Sequence, residues 1–348
     1  MRYSAPLDGL RALAIAGVLV FHIAPHRLTG GFAGVDVFFV VSGFLITAII
    51  LSDLHHDRFT LREFYLRRVQ RLLPNLVVTI AVTLALWHFF VLPSDAAKAA
   101  RHAVWALFNL SNVYVWKFLG GYWGNDAEWA PLTHTWSLGL EEQFYLLYPA
   151  LLVMLVRVWP TRRTAVLMTA MLFSAVGCVA LSARAPESTF YLLPTRMWEL
   201  LMGAILASRR REGSEAVGEG EFDKGRLGRE VVGWGGLIVV LVALVLIDKS
   251  QAFPGVVAFF PTVGATAILW SISSGGSSLA GILAQPAVVA AARAWLPPPG
   301  YGPGDLGWAA FWPGQAWLAR AWPGAFRHPA CCRALAPGSR WQRQKNCG

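Results

Sequence analysis

Charge is scarce in this chain. Only 14% of its 348 residues are Asp, Glu, Lys or Arg, where a soluble domain carries about 25%. Cysteine is scarcer still: Cys178, Cys331, Cys332 and Cys347 show no metal-ligand spacing and no disulfide framework. There is no Walker loop, no Rossmann glycine fingerprint, no HExxH and no GxSxG, so metal and nucleotide-hydrolysis mechanisms find no support. No interleaved basic and aromatic patch suggests nucleic acid, despite a pI near 9.8. The first apolar run lacks a small-residue cleavage site and reads as a retained span. No internal repeat is visible.

What the chain has is apolar surface: 55% hydrophobic residues and a mean hydropathy of +0.48. Repeated apolar runs of near-spanning length predict an all-α, polytopic transmembrane helical bundle. Eight spans are expected at about 8–25, 34–51, 75–92, 138–158, 164–182, 192–207, 231–248 and 256–272, with 100–117 as a possible ninth. Arginine bias sets the orientation. Arg58, Arg62, Arg67, Arg68 and Arg71 in the loop 52–74 are expected inside, as are Arg157, Arg162 and Arg163 in the turn 157–163 and the basic residues of 208–230. The opposite loops are poor in positive charge, with Arg27 in one, Arg184 in another and Lys249 in a third. The N-terminus is then cytoplasmic, and parity makes 100–117 an interfacial or folded-back helix. The stretch 208–230, rich in Gly, Glu and Arg, reads as a flexible cytoplasmic linker.

The net charge of +10 is uneven. Residues 290–348 hold seven basic residues and one acid, +6 of the total. After Val289 there is no Val, Ile, Thr, Met or Glu, while six of sixteen Trp and three of four Cys fall there. Pro297-Pro298-Pro299 forbids a long helix. This aberrant tail reads as GC-rich DNA translated out of frame from near residue 290; the alternative is a genuine low-complexity Trp/Pro tail.

Ionisable groups at membrane depth cost roughly 2.5–3.5 kcal/mol each even on the lenient insertion scale, and they persist where they serve a partner or a substrate. His22, late in the first span, is a candidate base or acyl carrier; the alternative is an interfacial histidine bonded to a backbone carbonyl. Asp36 opens the second span and could orient a histidine as the acid of a triad does, or simply serve as an N-cap. Arg11, in the inner half of the first span, suits a phosphate or carboxylate, or snorkels. Arg68 and Arg71 share a face if that stretch is helical, and two guanidinium forks suit a phosphorylated ligand; ordinary positive-inside charge is the competing reading. Ser137 with Glu141 could cap a helix that also carries Glu142. Arg196 and Glu199 are spaced to pair across one turn.

Four blocks resemble the acyltransferase 3 family of bacterial membrane proteins. They are Leu7-Asp8-Gly9-Leu10-Arg11-Ala12 with Phe21-His22, then Gly31 through Ile46, then Phe64 through Pro74, and His134-Thr135-Trp136-Ser137-Leu138 running into Glu141-Glu142-Gln143-Phe144-Tyr145. The resemblance covers roughly 4–285, and 1–285 is taken as the acyltransferase-type domain. It implies transfer of an acyl group, often acetyl, from cytoplasmic acyl-CoA to a hydroxyl of a cell-envelope polysaccharide, lipid-linked sugar or similar acceptor, in the bacterial inner membrane. On that resemblance His22 is the catalytic histidine and Asp36 its partner. Arg11, Arg68 and Arg71 grip the CoA phosphates, while Ser137 and Glu142 match positions of less certain role. No metal is implied. The family's aromatic-rich closing span is replaced here by the tail. Two rival readings are a transporter of a small anionic or acylated solute and a truncated, inactive relative.

Overall fold

A computed structural model describes residues 4–120, 130–214, 226–248, 250–273 and 277–295. Among these residues the chain is all-helical, with no strand. Helix α1 spans Ala5–Ile23, α2 Gly34–His55, α3 Leu61–Phe90, α4 Pro93–Leu107, α5 Ser111–Phe118 and α6 Thr135–Val158. Then come α7 Arg163–Ser182, α8 Pro186–Tyr191, α9 Leu193–Ser214, α10 Arg226–Leu246, α11 Phe259–Ser273, α12 Ser278–Leu283 and α13 Pro286–Trp295.

Each of the eight expected spans falls on a helix. Six helices (α1, α2, α3, α6, α7 and α10) are long and apolar enough to cross a membrane, α2 counted together with the short 3-10 turn Gly31–Ala33 that precedes it. The other two helices fall short of that standard for physical reasons. Helix α9 carries Arg196, Glu199 and a run of arginines at its far end, and α11 has only 15 residues. The expectation of eight to nine spans therefore goes beyond the six. The ambiguous segment 100–117 is two short helices, α4 and α5, broken at Asn109, whose φ of 57° lies in the left-handed region. The tail beyond Trp295 lies outside the described residues, as do Lys249 and the centre of the expected linker; the linker's start is instead a continuation of α9 to Ser214.

One expected loop is a helix. Arg67, Arg68 and Arg71 sit inside α3, which starts at Leu61 behind a Thr60 cap whose hydroxyl accepts from Glu63 N–H at 3.3 Å. This meets the condition under which Arg68 and Arg71 share a face. One side of α3 is apolar and exposed through Val69, Leu73, Val77 and Val78, the kind of surface that acyl chains cover.

Helix α2 is the centre of the bundle, buried over most of its length. It lies against α9 with almost no side-chain layer between them. A Cβ on Gly43 would stand 1.8 Å from the Leu200 carbonyl oxygen, and one on Gly203 would stand 1.9 Å from that of Val40. The two glycines face each other's backbones, so the helices approach as small-residue pairs allow in membranes. This approach brings the first turns of α2 and α9, with Asp36, Arg196 and Glu199, together.

Candidate active site

The polar groups form two tiers along the bundle axis. Helix α1 starts with Asp8 and Arg11 and ends with His22; at 1.5 Å per residue the last two are about 16 Å apart. Helix α6 runs the other way. His134 precedes it, and Glu141 and Glu142 follow about 12 Å along its axis on the same rise.

The first tier joins four helices. Arg68 of α3 is ion-paired with Glu142 of α6, and its guanidinium lies 3.8 Å above the Tyr145 ring. The Ser42 hydroxyl of α2 donates to Glu141 at 2.9 Å. Arg71 stands at the exposed edge, within electrostatic reach of Arg11, Arg68 and Asp8. Asp8 lies 3.8 Å from Arg11, too far for a hydrogen bond. Nε and Nη1 of Arg11 and Nε of Arg68 are buried without a hydrogen-bond partner. Such donors are costly to leave unmet, more so when charged. Their number and planarity suit a phosphate or carboxylate ligand.

The second tier holds the histidines. His22 Nδ1 lies 2.8 Å from the Val18 carbonyl oxygen. A carbonyl only accepts, so Nδ1 carries the proton, and in the neutral ring Nε2 is the basic nitrogen. His134 lies near enough to feel the charge of His22, and its ring is bonded to the Pro131 carbonyl. Burial pushes the His134 ring down to about 4, and His22 adds to the shift. Behind it, His102 is fully buried. Its ring stacks on Tyr114 at 4.5 Å, and its Nε2 lies 2.8 Å from the Ser111 hydroxyl. Burial, reinforced by His134, pushes His102 down to about 3. Both rings are neutral at pH 7.

A buried ionic group links α2 and α9. Arg196 Nη1 is 2.8 Å from Asp36 and 2.9 Å from Glu199, all three side chains buried. Phe39, Phe190 and Phe253 surround the guanidinium, with ring centroids 5.3, 5.4 and 5.6 Å away.

The structure thus brings Arg11, Arg68 and Arg71 near one another and adds Glu142 and Glu141 to them. It sorts the other expected residues differently. The Asp36 carboxylate engages Arg196 and Glu199, and it is the Val18 carbonyl that sets the His22 tautomer; the spacing rules could not see Arg196 approaching from a distant helix. Nor does Ser137 cap α6 with Glu141. Its hydroxyl lies 3.5 Å from the His134 carbonyl, and the Glu141 carboxylate serves Ser42. The Arg196–Glu199 pair forms across one turn as the spacing predicts. His134, Ser42 and Tyr145 lay within the motif blocks without a role, because only the tertiary fold shows what they face. His102 lay outside the blocks. Among the described residues no group of three or more His, Cys, Asp or Glu is placed to hold a metal ion.

This is a multi-pass membrane protein with an arginine cluster at one depth and histidines at another. Residues 5–298 match the model of the acyltransferase domain of the acyltransferase 3 family, and the chain belongs to that family. It is similar to the O-acetyltransferase OatA of Staphylococcus aureus strain NCTC 8325, 35% identical over 212 residues, which cover 59% of this chain and 34% of that protein. It is also similar to a putative O-acetyltransferase of Staphylococcus aureus strain MSSA476, 37% identical over 220 residues, 60% of this chain and 35% of that protein. The chain spans about a third of the length of these curated relatives. No solved structure matches it significantly.

Proposed function

We propose that this protein moves an acyl group, acetyl foremost, from cytoplasmic acyl-CoA to a hydroxyl on a cell-envelope sugar or similar acceptor. The observation that carries this reading is the set of buried, unpartnered guanidinium donors on Arg11 and Arg68, one helix length from a histidine of defined tautomer. A large anionic donor bound at the arginines would extend its thioester along α1 toward His22. The names of the two O-acetyltransferase relatives support acetyl and a hydroxyl acceptor.

In this reading Arg11, Arg68 and Arg71 neutralise the donor's phosphates. Tyr145 and Glu142, one turn apart on α6, hold Arg68 in place. His22 Nε2 takes the proton of the acceptor hydroxyl as its oxygen bonds to the acyl carbon. The carbon–sulfur bond breaks, and the proton passes to the thiolate. Asp36, Arg196 and Glu199 hold the second tier rigid. The arginine tier is cytoplasmic, the N-terminus lies on that side, and the membrane is the bacterial inner membrane. Residues 1–285 form the working unit.

The test is acetyl-CoA-dependent release of CoA in membranes carrying the wild-type chain, His22→Ala or Arg68→Ala. Wild-type release that vanishes in His22→Ala supports the reading. Export of a solute without CoA release would replace it with a transporter.

A further inference from the structure

Helix α3 carries Arg68 through a stretch with no buried side chain. Phe64 is buried, and the next buried residue along α3 is Leu76, about 18 Å further on at 1.5 Å per residue. From 65 to 75 every side chain is half-buried or exposed. Pro74 falls in the same stretch and removes a rung of the helix's own ladder, because it has no N–H for the Gln70 carbonyl. Apolar packing therefore does not fix where Arg68 stands. Side-chain bridges to α6 do.

Arg68 pairs with Glu142 and lies 3.8 Å above the Tyr145 ring. One turn earlier on α3, the Tyr65 hydroxyl donates to the Leu146 carbonyl at 2.6 Å. Tyr65 and Arg68 are spaced i, i+3, while Glu142, Tyr145 and Leu146 are spaced i, i+3 and i+4. One face of each helix thus meets one face of the other. The Leu146 carbonyl is open to a second helix for a local reason. Pro149 lies inside α6 and has no N–H, so the Tyr145 carbonyl, four residues earlier, has no donor in its own helix. In membranes, side chains of neighbouring helices bond the carbonyls that such a turn exposes. The Tyr65 hydroxyl is uncharged. It fixes the gap between the helices without neutralising a guanidinium, and Nε of Arg68 stays unpartnered.

We infer that Tyr65 is a positioning residue for the donor: its bond to the Leu146 carbonyl pins α3 to α6 and so holds the Arg68 guanidinium where a phosphate meets it. This rests on the reading of the arginine tier as the site of the donor's phosphates. Tyr65 acts through Arg68 and exchanges no proton in the reaction.

The experiment uses the full chain in membranes and reads CoA release across acetyl-CoA concentrations. Tyr65→Phe deletes the hydroxyl and keeps the ring. It is expected to raise the KM for acetyl-CoA about threefold to tenfold, the scale of one neutral hydrogen bond, with kcat within about twofold of wild type. KM does not depend on how much protein is present, so a smaller amount of the variant in the membrane leaves the result readable. In an Arg68→Ala background the same change should alter KM by less than about twofold, because the group that Tyr65 positions is gone. A wild-type KM in Tyr65→Phe would overturn the inference. So would a rise by the same factor in the Arg68→Ala background, or a loss confined to kcat. A wild-type chain that releases no CoA overturns the acyl-transfer reading itself, and an Arg68→Ala protein with a wild-type KM overturns the placing of phosphates there. Both failures are visible before Tyr65→Phe is compared.

Discussion

Arg196 Nη1 lies 2.8 Å from Asp36, an ion pair that ties the first turn of α2 to α9 within a box of three phenylalanine rings. Removing one partner of a buried pair strands the other charge and costs about 3–5 kcal/mol. Asp36→Ala should therefore lower the melting temperature in detergent sharply. Replacing all three members, Asp36→Leu with Arg196→Met and Glu199→Leu, should recover much of the loss. A stable but inactive Asp36→Ala protein would instead give Asp36 a direct part in the chemistry.

Arg11 and Arg68 should act on the donor. Their unpartnered nitrogens meet a phosphorylated ligand through charge-assisted bonds of about 1.5–3 kcal/mol each. Arg11→Ala and Arg68→Ala should raise the KM for acetyl-CoA by about 10-fold to 100-fold on that scale. Lysine should rescue poorly, lacking the fork. Initial rates across donor concentrations decide it; an unchanged KM removes the case for phosphate binding there.

Gly43 should tolerate no side chain. A Cβ there would stand 1.8 Å from the Leu200 carbonyl oxygen, a backbone atom that cannot swing aside. Gly43→Ala forces α2 and α9 apart and should destabilise by at least about 1–3 kcal/mol, the ordinary cost of overpacking. Thermal melts in detergent measure it. Gly177, with open space where its Cβ would be, is the control: Gly177→Ala should be neutral or slightly stabilising.

His102 makes stability depend on pH. Its folded value, about 3, lies below the ordinary 6.5. Between these values the unfolded chain binds the proton and the folded chain does not, so stability rises with pH. Its contribution is complete above 6.5 and is lost as the pH falls, by about 1.4 kcal/mol for each unit below that. Melting between pH 7 and pH 5 should show the drop, and His102→Gln should flatten it. An equal slope in the variant would assign the effect to other groups.

Much of this protein follows from its sequence alone. Apolar runs of spanning length with few charges dictate a helical membrane bundle, because in hydrocarbon each backbone group must find its partner within its own helix. The helices consequently lie where the runs lie. The i, i+3 spacing of Arg68 and Arg71 placed them on one face, and the four motif blocks identified the family. Tertiary structure decided the partnerships between helices. Asp36 meets Arg196, Ser42 meets Glu141, Arg68 meets Glu142, and His134 comes near His22. A charge in a low-dielectric interior takes whichever opposite charge the packing delivers, and that packing depends on where Gly43 and Gly203 let two helices touch. Spacing along one helix carries no record of which other helix arrives.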